Sequence, residues 1–300
     1  MAHKSAAAVE AAAHEENIIG VNYGMKGDNL PPPSAVVQLY KSKNIRRIRL
    51  FDPNPSALLA LHGSGIEVVL GTLNEDLPLL ASNASYASEW VAAHVTPHAP
   101  NVTFRYVSAG NEVVPGDLAR HVLPAMRNLR AALRSAGVAH APPRVTTAVS
   151  SAALRASFPP SAGAFAEEGV SLDYALFTAP GAVVRDGEYE YQNLFDAMVD
   201  VIHTALGRVG GGAVEVAESE TGWPSAGNGD MTTVEKAMTY NNNVIKHVMS
   251  GKGTPRWPGK AVETYIFAMF NEDQKPAGTE QNFGLFQPDM TEVYHVNFSS

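Results

Sequence analysis

Apolar residues along the chain follow two alternating spacings. Short runs rich in β-branched residues predict seven strands, at 17–23, 45–51, 66–71, 102–107, 144–150, 214–217 and 262–269. Between them apolar residues recur every three or four positions, which predicts helices at 35–43, 55–62, 86–94, 121–136, 193–209 and 233–249. Because helical segments separate the strands, the pattern predicts an α/β fold with a parallel sheet covered by helices.

A barrel fits this pattern better than an open nucleotide-binding sheet. Such a sheet carries G-x-G-x-x-G after its first strand, whereas Tyr23 is followed here by Gly-Met-Lys-Gly. The glycine cluster at 210–212 follows a helix, so we interpret it as a connector. The alternation predicts a (β/α)8 TIM barrel of about 250 residues plus loops. We expect a single barrel domain at 18–300 and a tail outside the fold at 1–17.

One strand of the barrel is irregular in this pattern. Between residues 151 and 214 a regular barrel needs one more strand and its helix, and only 170–178 resembles a strand. We expect this segment to pair in the gap. The alternatives are an open barrel or a loss of activity, since unpaired buried amides cost about 1–3 kcal/mol each.

Composition narrows the possible partners. The chain has no cysteine and a formal charge of −8, with 17% charged and 45% hydrophobic residues. The acidic balance offers no basic surface for nucleic acid, and no apolar run approaches the roughly 18 residues that span a bilayer. Glu10 interrupts the Ala-rich start, so we recognise no signal peptide.

Two carboxylates at strand ends suggest the chemistry. The fourth predicted strand ends in Asn111-Glu112, and the strand at 214–217, the seventh of a regular barrel, runs into Glu218-Ser219-Glu220-Thr221-Gly222-Trp223-Pro224. Active sites of these barrels lie at the carboxyl ends of the strands. Glycoside hydrolysis needs two carboxyl groups flanking one bond. Aromatic residues suited to stacking on sugars surround the pair in our interpretation: Tyr23, Phe177, Trp223 and Phe270.

Other chemistries have weaker support. A single Glu at a strand end is most often a solvated loop residue, so the argument rests on the two motifs together. His94 and His98 have the i, i+4 spacing of metal ligands, but Pro97 ends that helix and no H-E-x-x-H follows. No G-x-S-x-G nucleophile elbow occurs. Two carboxylates and water suffice for hydrolysis, so no cofactor or metal is implied.

The longer motifs resemble those of a known family. They include IGVNYG (19–24), RIRLFDP (47–53), RYVSAGNEV (105–113), ESETGWPSAG (218–227) and ETYIFAMFNEDQKPAGTEQNFGLFQPDM (263–290). The chain resembles the plant glucan endo-1,3-β-glucosidases of glycoside hydrolase family 17, which also includes 1,3-1,4-β-glucanases. The resemblance covers nearly all of residues 19–298.

This resemblance implies a (β/α)8 barrel and a retaining double displacement on a β-glucan polysaccharide or oligosaccharide. Carried over by motif, Glu112 is the general acid/base, Glu220 the nucleophile, and Asn111 the partner of the substrate 2-hydroxyl. The family's charged cluster falls on Glu272, Lys275 and Glu280, and its cleft lining on Tyr23, Phe177, Trp223 and Phe270. We further expect a monomer that is secreted to the apoplast or held in the vacuole.

The chain departs from the family after the fifth strand. Relatives carry a helix and an apolar sixth strand there, whereas residues 166–169 here pass directly into 171–177. This leaves a non-catalytic glucan-binding barrel as the rival to an active hydrolase. It also leaves open whether an active enzyme prefers 1,3- or 1,3-1,4-β-glucan. Glu218 precedes Glu220 by two residues on the same side of the strand, which leaves open a rescue role.

Overall fold

The computed structural model describes residues 18–138, 142–154, 160 and 170–298. The tail expected at 1–17 and the residues 166–169 lie outside this description. None of the helices in the described ranges is both long and apolar enough to span a membrane.

Seven parallel strands form one curled sheet. Its strands are β1 (Ile19–Tyr23), β2 (Arg47–Leu50), β3 (Glu67–Gly71), β4 (Thr103–Asn111), β5 (Arg144–Ala148), β8 (Glu218–Thr221) and β9 (Thr264–Ile266). Their spatial order is β5-β4-β3-β2-β1-β9-β8, and every pairing is parallel. The predicted α/β alternation is confirmed. A separate antiparallel hairpin joins β6 (Val184–Asp186) to β7 (Tyr189–Tyr191).

Helices lie between the strands along the chain. They are α1 (Pro33–Ser42), α2 (Pro55–Ala60), α3 (Leu77–Ser82), α4 (Ala84–His94), α5 (Ala119–Ser135), α6 (Leu172–Ala175), α7 (Leu194–Arg208) and α8 (Val234–Met249). Side-chain oxygens cap several of them, as where Asn193 Oδ1 accepts the Asp196 N–H at the start of α7. Gly210, with φ 81°, lies just beyond the end of α7, so the connector predicted at 210–212 is confirmed.

The two faces of the sheet differ in polarity. Ile48 and Leu50 on β2 belong to the apolar core that the helices cover, while Arg47 and Arg49 point to the opposite, inner face. Glycine clears space on that inner face: a Cβ on Gly20 would lie 2.4 Å from the Tyr265 ring. The inner face therefore holds large polar side chains instead of aliphatic ones.

Charged groups fill the inner face at the amino ends of the strands. Arg105 donates to both carboxylate oxygens of Glu263, at 2.6–2.9 Å, and Tyr265 donates to the same carboxylate at 2.7 Å. Arg47 pairs with Glu67 at 2.9 Å. These contacts link β2, β3 and β4 with the residues around β9 across the inside of the sheet.

The segment at 170–178 does not supply the missing strand, so that prediction was wrong. Residues Leu172–Ala175 form α6, where the N–H groups of Ala175 and Leu176 donate to the carbonyls four residues earlier, at 3.1 and 2.9 Å. Tyr174 packs with Val184, Tyr191 and Ala197, which places this segment against the hairpin and α7.

The sheet is consequently open between β5 and β8 within the described residues, where no pairing joins these two strands. At the amino end of this opening, Arg144 of β5 forms an ion pair with Glu215, three residues before β8. A second correction concerns β8 itself, predicted at 214–217 and found at Glu218–Thr221. The strand begins where its register with β9 begins, at Glu218 opposite Thr264.

Candidate active site

Glu112 and Glu220 lie at the carboxyl edge of the sheet, as expected from their motifs. Glu220 is within β8, and Glu112 directly follows β4 with φ 52°. The Glu112 N–H donates to the carbonyl of Ala148 at the end of β5, at 3.0 Å, which fixes the turn that presents its side chain. The Glu220 side chain is 24% exposed, and Glu112 is open to solvent.

Arg49 connects the two sides of this edge. Its Nη1 lies 2.7 Å from Glu220 Oε1, an ion pair whose angle is not that of a hydrogen bond. Its Nη2 donates to Asn111 Oδ1 at 2.5 Å, and its Nη1 also donates to Asn22 Oδ1 at 3.2 Å. The guanidinium is almost fully buried and lies 4.5 Å from the centre of the Phe51 ring. One rigid cation therefore orients both the Glu220 carboxylate and the Asn111 amide.

A second amide holds the backbone before Glu112. Asn74 accepts the Asn111 N–H at 2.7 Å and donates to the Asn111 carbonyl at 3.0 Å. Gly110, with φ 72°, donates its N–H to the Thr72 hydroxyl at 3.0 Å. The Asn111 side chain accepts from Arg49, and no residue of the described chain accepts from its Nδ2. That amide group is thus available for a ligand hydroxyl.

The environment of Glu112 favours its protonated form. Partial burial and the negative charge of Glu220 raise the pKa of the Glu112 carboxyl above its ordinary value. Arg49 and a hydrogen bond from Ser150 oppose this rise without cancelling it. A carboxyl that keeps its proton beside an ionised partner can act as a general acid.

Glu218 adds a third carboxyl to the same edge. Burial raises its pKa to about 7, and the charges of Glu220 and Glu112 act in the same direction. Its Oε1 accepts the Glu220 N–H at 3.4 Å.

The predicted charged cluster is partly assembled. Glu272 is 2% exposed, accepts the Lys26 N–H at 2.7 Å and pairs with Lys275 at 3.3 Å. A Cβ on Gly24 would lie 2.2 Å from the Glu272 carboxylate, so this approach requires glycine. Glu280 is exposed on the loop beyond and raises the pKa of Glu112 through its charge.

The four predicted cleft aromatics differ in exposure. Tyr23 and Phe270 pack edge to face, with ring centres 6.3 Å apart, and are only 3% and 2% exposed. Trp223 and Phe177 are partly exposed, and each packs against the ring of Tyr240, with ring centres 5.7 and 5.8 Å apart. Contact with a sugar is therefore expected mainly from Trp223 and Phe177, and the sugar-binding role of all four stays a prediction.

Sequence reasoning missed Arg49 and Asn74. Arg49 stands between the apolar residues Ile48 and Leu50 in a strand that the sequence predicts to be buried. A charged residue at such a position was the signal that could have identified it. Asn74 gave no comparable signal. Within the described ranges, no group of three or more His, Asp or Glu side chains is arranged to hold a metal ion.

Comparisons with known proteins agree with the fold described above. The model of a family described as glycosyl hydrolases family 17 matches residues 19–170 and 164–298. The Hordeum vulgare protein GVI, named for glucan endo-1,3-β-glucosidase activity, is 51% identical over 94% of this chain and 97% of its own length. Lichenase-2 of Hordeum vulgare is 46% identical over 93% of this chain and 98% of its own. A solved chain from work on two plant β-glucan endohydrolases with distinct substrate specificities is 45% identical, with a TM-score of 0.86 over 93% of this chain and 99% of that one.

Proposed function

The chain belongs to glycosyl hydrolase family 17, and on that basis we propose that it hydrolyses internal 1,3-β-D-glucosidic bonds in β-glucans. The proposal assigns a retaining double displacement to two glutamates, with Glu112 as the general acid/base and Glu220 as the nucleophile. The observation that carries it is the connection through Arg49, which holds Glu220 on one strand and Asn111, next to Glu112, on another.

The chemistry divides between the two carboxyls according to their surroundings. Glu220 attacks the anomeric carbon while Glu112 gives its proton to the departing glycosidic oxygen. The ionised Glu112 then removes a proton from water, which attacks the same carbon and releases Glu220. The Asn111 amide binds the 2-hydroxyl of the sugar, an interaction expected to strengthen in the transition state.

The first test is the release of reducing ends from a linear β-1,3-glucan. Glu220→Gln removes the nucleophile but keeps the volume of the side chain, so we expect its activity to fall below detection. Glu112→Gln should lose activity on the polysaccharide but still release a burst of phenol from an aryl β-1,3-glucobioside with an acidic leaving group, because the first step then needs no acid while the second step still lacks its base. Absence of that burst from folded Glu112→Gln would contradict the assigned role.

A 1,3-1,4-β-glucanase is the second candidate. Its support is that Lichenase-2 is nearly as similar to this chain as GVI, at 46% against 51% identity. Release from a mixed-linkage β-glucan, measured beside the linear 1,3-glucan under the same conditions, distinguishes the two. The higher kcat/KM names the preferred substrate.

A non-catalytic glucan binder is the remaining alternative, and it predicts saturable binding of a β-1,3-glucan oligomer without slow cleavage. Two further parts of the proposal follow the family resemblance: a monomeric state and a location in the apoplast or vacuole. Light scattering of the purified protein and immunolabelling of tissue sections test them separately.

A further inference from the structure

Glu218 is a carboxyl in the candidate site that the proposed mechanism does not use. It lies two residues before Glu220 in β8, at an irregularity in the pairing with β9, and its Oε1 accepts the Glu220 N–H at 3.4 Å. The residue is partly exposed along the free edge of β8, while protein surrounds its carboxyl.

The contacts of Arg49 leave this carboxyl without a close cation. The guanidinium lies against Glu220, Asn111 and Asn22, at 2.7, 2.5 and 3.2 Å. Within the described chain, the hydrogen bond to the Glu218 carboxyl is the long one from the Glu220 N–H, at 3.4 Å. A buried carboxylate is normally held by shorter, charge-assisted bonds of about 2.7–2.9 Å. One cation thus faces three carboxyls, and the geometry fits a neutral Glu218.

We propose that Glu218 is a positioning residue for Glu220: it holds a proton while Glu220 is a free carboxylate, and releases it to water when Glu220 becomes a glycosyl ester. The proposal rests on the nucleophilic role proposed above for Glu220.

Linkage gives the direction of this effect. The groups that face Glu218 are Glu220 on its own strand, Arg49 on β2, Glu112 after β4 and Tyr240 on α8. The negative charge of Glu220 raises the pKa of Glu218, and the positive charge of Arg49 lowers it. An ester at Glu220 has no charge and frees Arg49 from its ion pair, so both changes favour ionised Glu218. By reciprocity, ionised Glu218 favours the ester over the free enzyme.

The bonds and charges balance in this step. The glycosidic C1–O bond breaks as the C1–Oε bond to Glu220 forms, and the departing oxygen takes the Glu112 proton. Glu112 becomes negative at the same time, which partly offsets the loss of charge at Glu220. A Glu112→Gln background removes this offset, because the amide stays neutral.

The test compares free and esterified protein in the Glu112→Gln variant. A dinitrophenyl β-1,3-linked glucobioside, fluorinated at C2 of the reacting glucose, should accumulate as an ester, since its leaving group needs no acid. Mass spectrometry of the digest locates the ester. Titration of ¹³C-carboxyl-labelled Glu by NMR then follows Glu218, whose signal is the one absent from Glu112→Gln/Glu218→Gln. Glu218→Asp removes the same signal and serves if the double Gln variant does not melt cooperatively.

We expect a carboxyl that titrates near neutral pH in the free protein and about half a pH unit or more lower in the ester. A Glu218 signal that titrates in the ordinary range of Glu in the free protein, or at an unchanged midpoint in the ester, would overturn the inference. If the folded protein forms no ester at Glu220, the two-glutamate mechanism is wrong. The proposed release of a proton from Glu218 is then wrong as well.

Discussion

At the scale of the residue, the candidate site depends on side chains that do not themselves react. Arg49 orients a carboxylate and an amide from two different strands, and Asn74 fixes the backbone that leads to Glu112. Such positioning acts on the rate because a displacement of about 1 Å at reacting groups can cost roughly 100-fold.

Arg49→Lys tests this dependence. A lysine keeps the charge but cannot contact Glu220 and Asn111 together, because it lacks the planar fork of the guanidinium. We expect kcat on β-1,3-glucan to fall by about 10–100-fold with a smaller change in KM. Arg46→Lys is the matched control, since Arg46 lies next to β2 and is exposed. Equal effects of the two substitutions would argue against the positioning role.

At the scale of the element, the segment that follows residue 170 shows how local packing replaced an expected strand. Tyr174 of α6 packs against Val184 and Tyr191 of the β6–β7 hairpin and against Ala197 of α7. The hairpin turns at Gly187-Glu188, where Gly187 has φ 64°, a conformation that glycine adopts without strain.

Leu172→Asp and Leu176→Asp distinguish helix from strand in this segment. A strand that filled the gap between β5 and β8 would enclose both side chains between the sheet interior and the helices, which predicts similar losses of stability. Leu176 is 6% exposed and Leu172 only partly buried, so we expect Leu176→Asp to lower the free energy of unfolding by more, on the order of 3 kcal/mol. Chemical denaturation measures both free energies of unfolding. Similar losses in the two variants would indicate that the segment is a strand of the sheet.

The same segment shows the limit of prediction from the sequence. The parallel α/β fold was predictable because long helices and buried strands alternate with distinct spacings, and Glu112 and Glu220 were located because each stands in a specific motif at a strand end. Residues 170–178 were misjudged because periodicity does not separate a short buried strand from a short buried helix. The inward position of Arg49 depends on which face of β2 turns to the sheet interior, and this is decided by packing between elements.

At the scale of the whole molecule, charged groups stabilise the inside of the curled sheet. Glu263 is 9% exposed and accepts hydrogen bonds from Arg105 and Tyr265. Burial alone would raise its pKa, but these bonds and the positive charges of Arg47 and Arg105 lower it below the ordinary value. The ionised Glu263 carboxylate therefore contributes to the stability of the folded state.

This lowered pKa predicts a loss of stability in acid. A group whose pKa is lower in the folded state stabilises the fold above its ordinary pKa, and this contribution disappears as the pH falls through the folded-state value. We expect Glu263→Gln to reduce the free energy of unfolding by about 3 kcal/mol at neutral pH, because Arg47 and Arg105 each lose one of their carboxylate partners. The difference from wild type should narrow below the ordinary pKa of Glu. Thermal melts of wild type and Glu263→Gln across pH measure this difference in stability, with the exposed Glu89→Gln as control. A stability difference that did not change with pH would contradict the ionised state of Glu263.

The opening between β5 and β8 has a mechanical consequence. A closed barrel keeps its curvature because its last strand is hydrogen-bonded to its first. An open sheet with two edge strands needs other contacts to stay curled. In the described part of this protein, two sets of ion pairs provide these contacts. One lies on the concave side of the sheet, and the other is the Arg144–Glu215 pair at the amino end of the opening. We therefore expect the described sheet to be most rigid at β1 and β2, far from its two edge strands. Deuterium should enter the backbone amides of β5 and β8 first and those of β1 and β2 last.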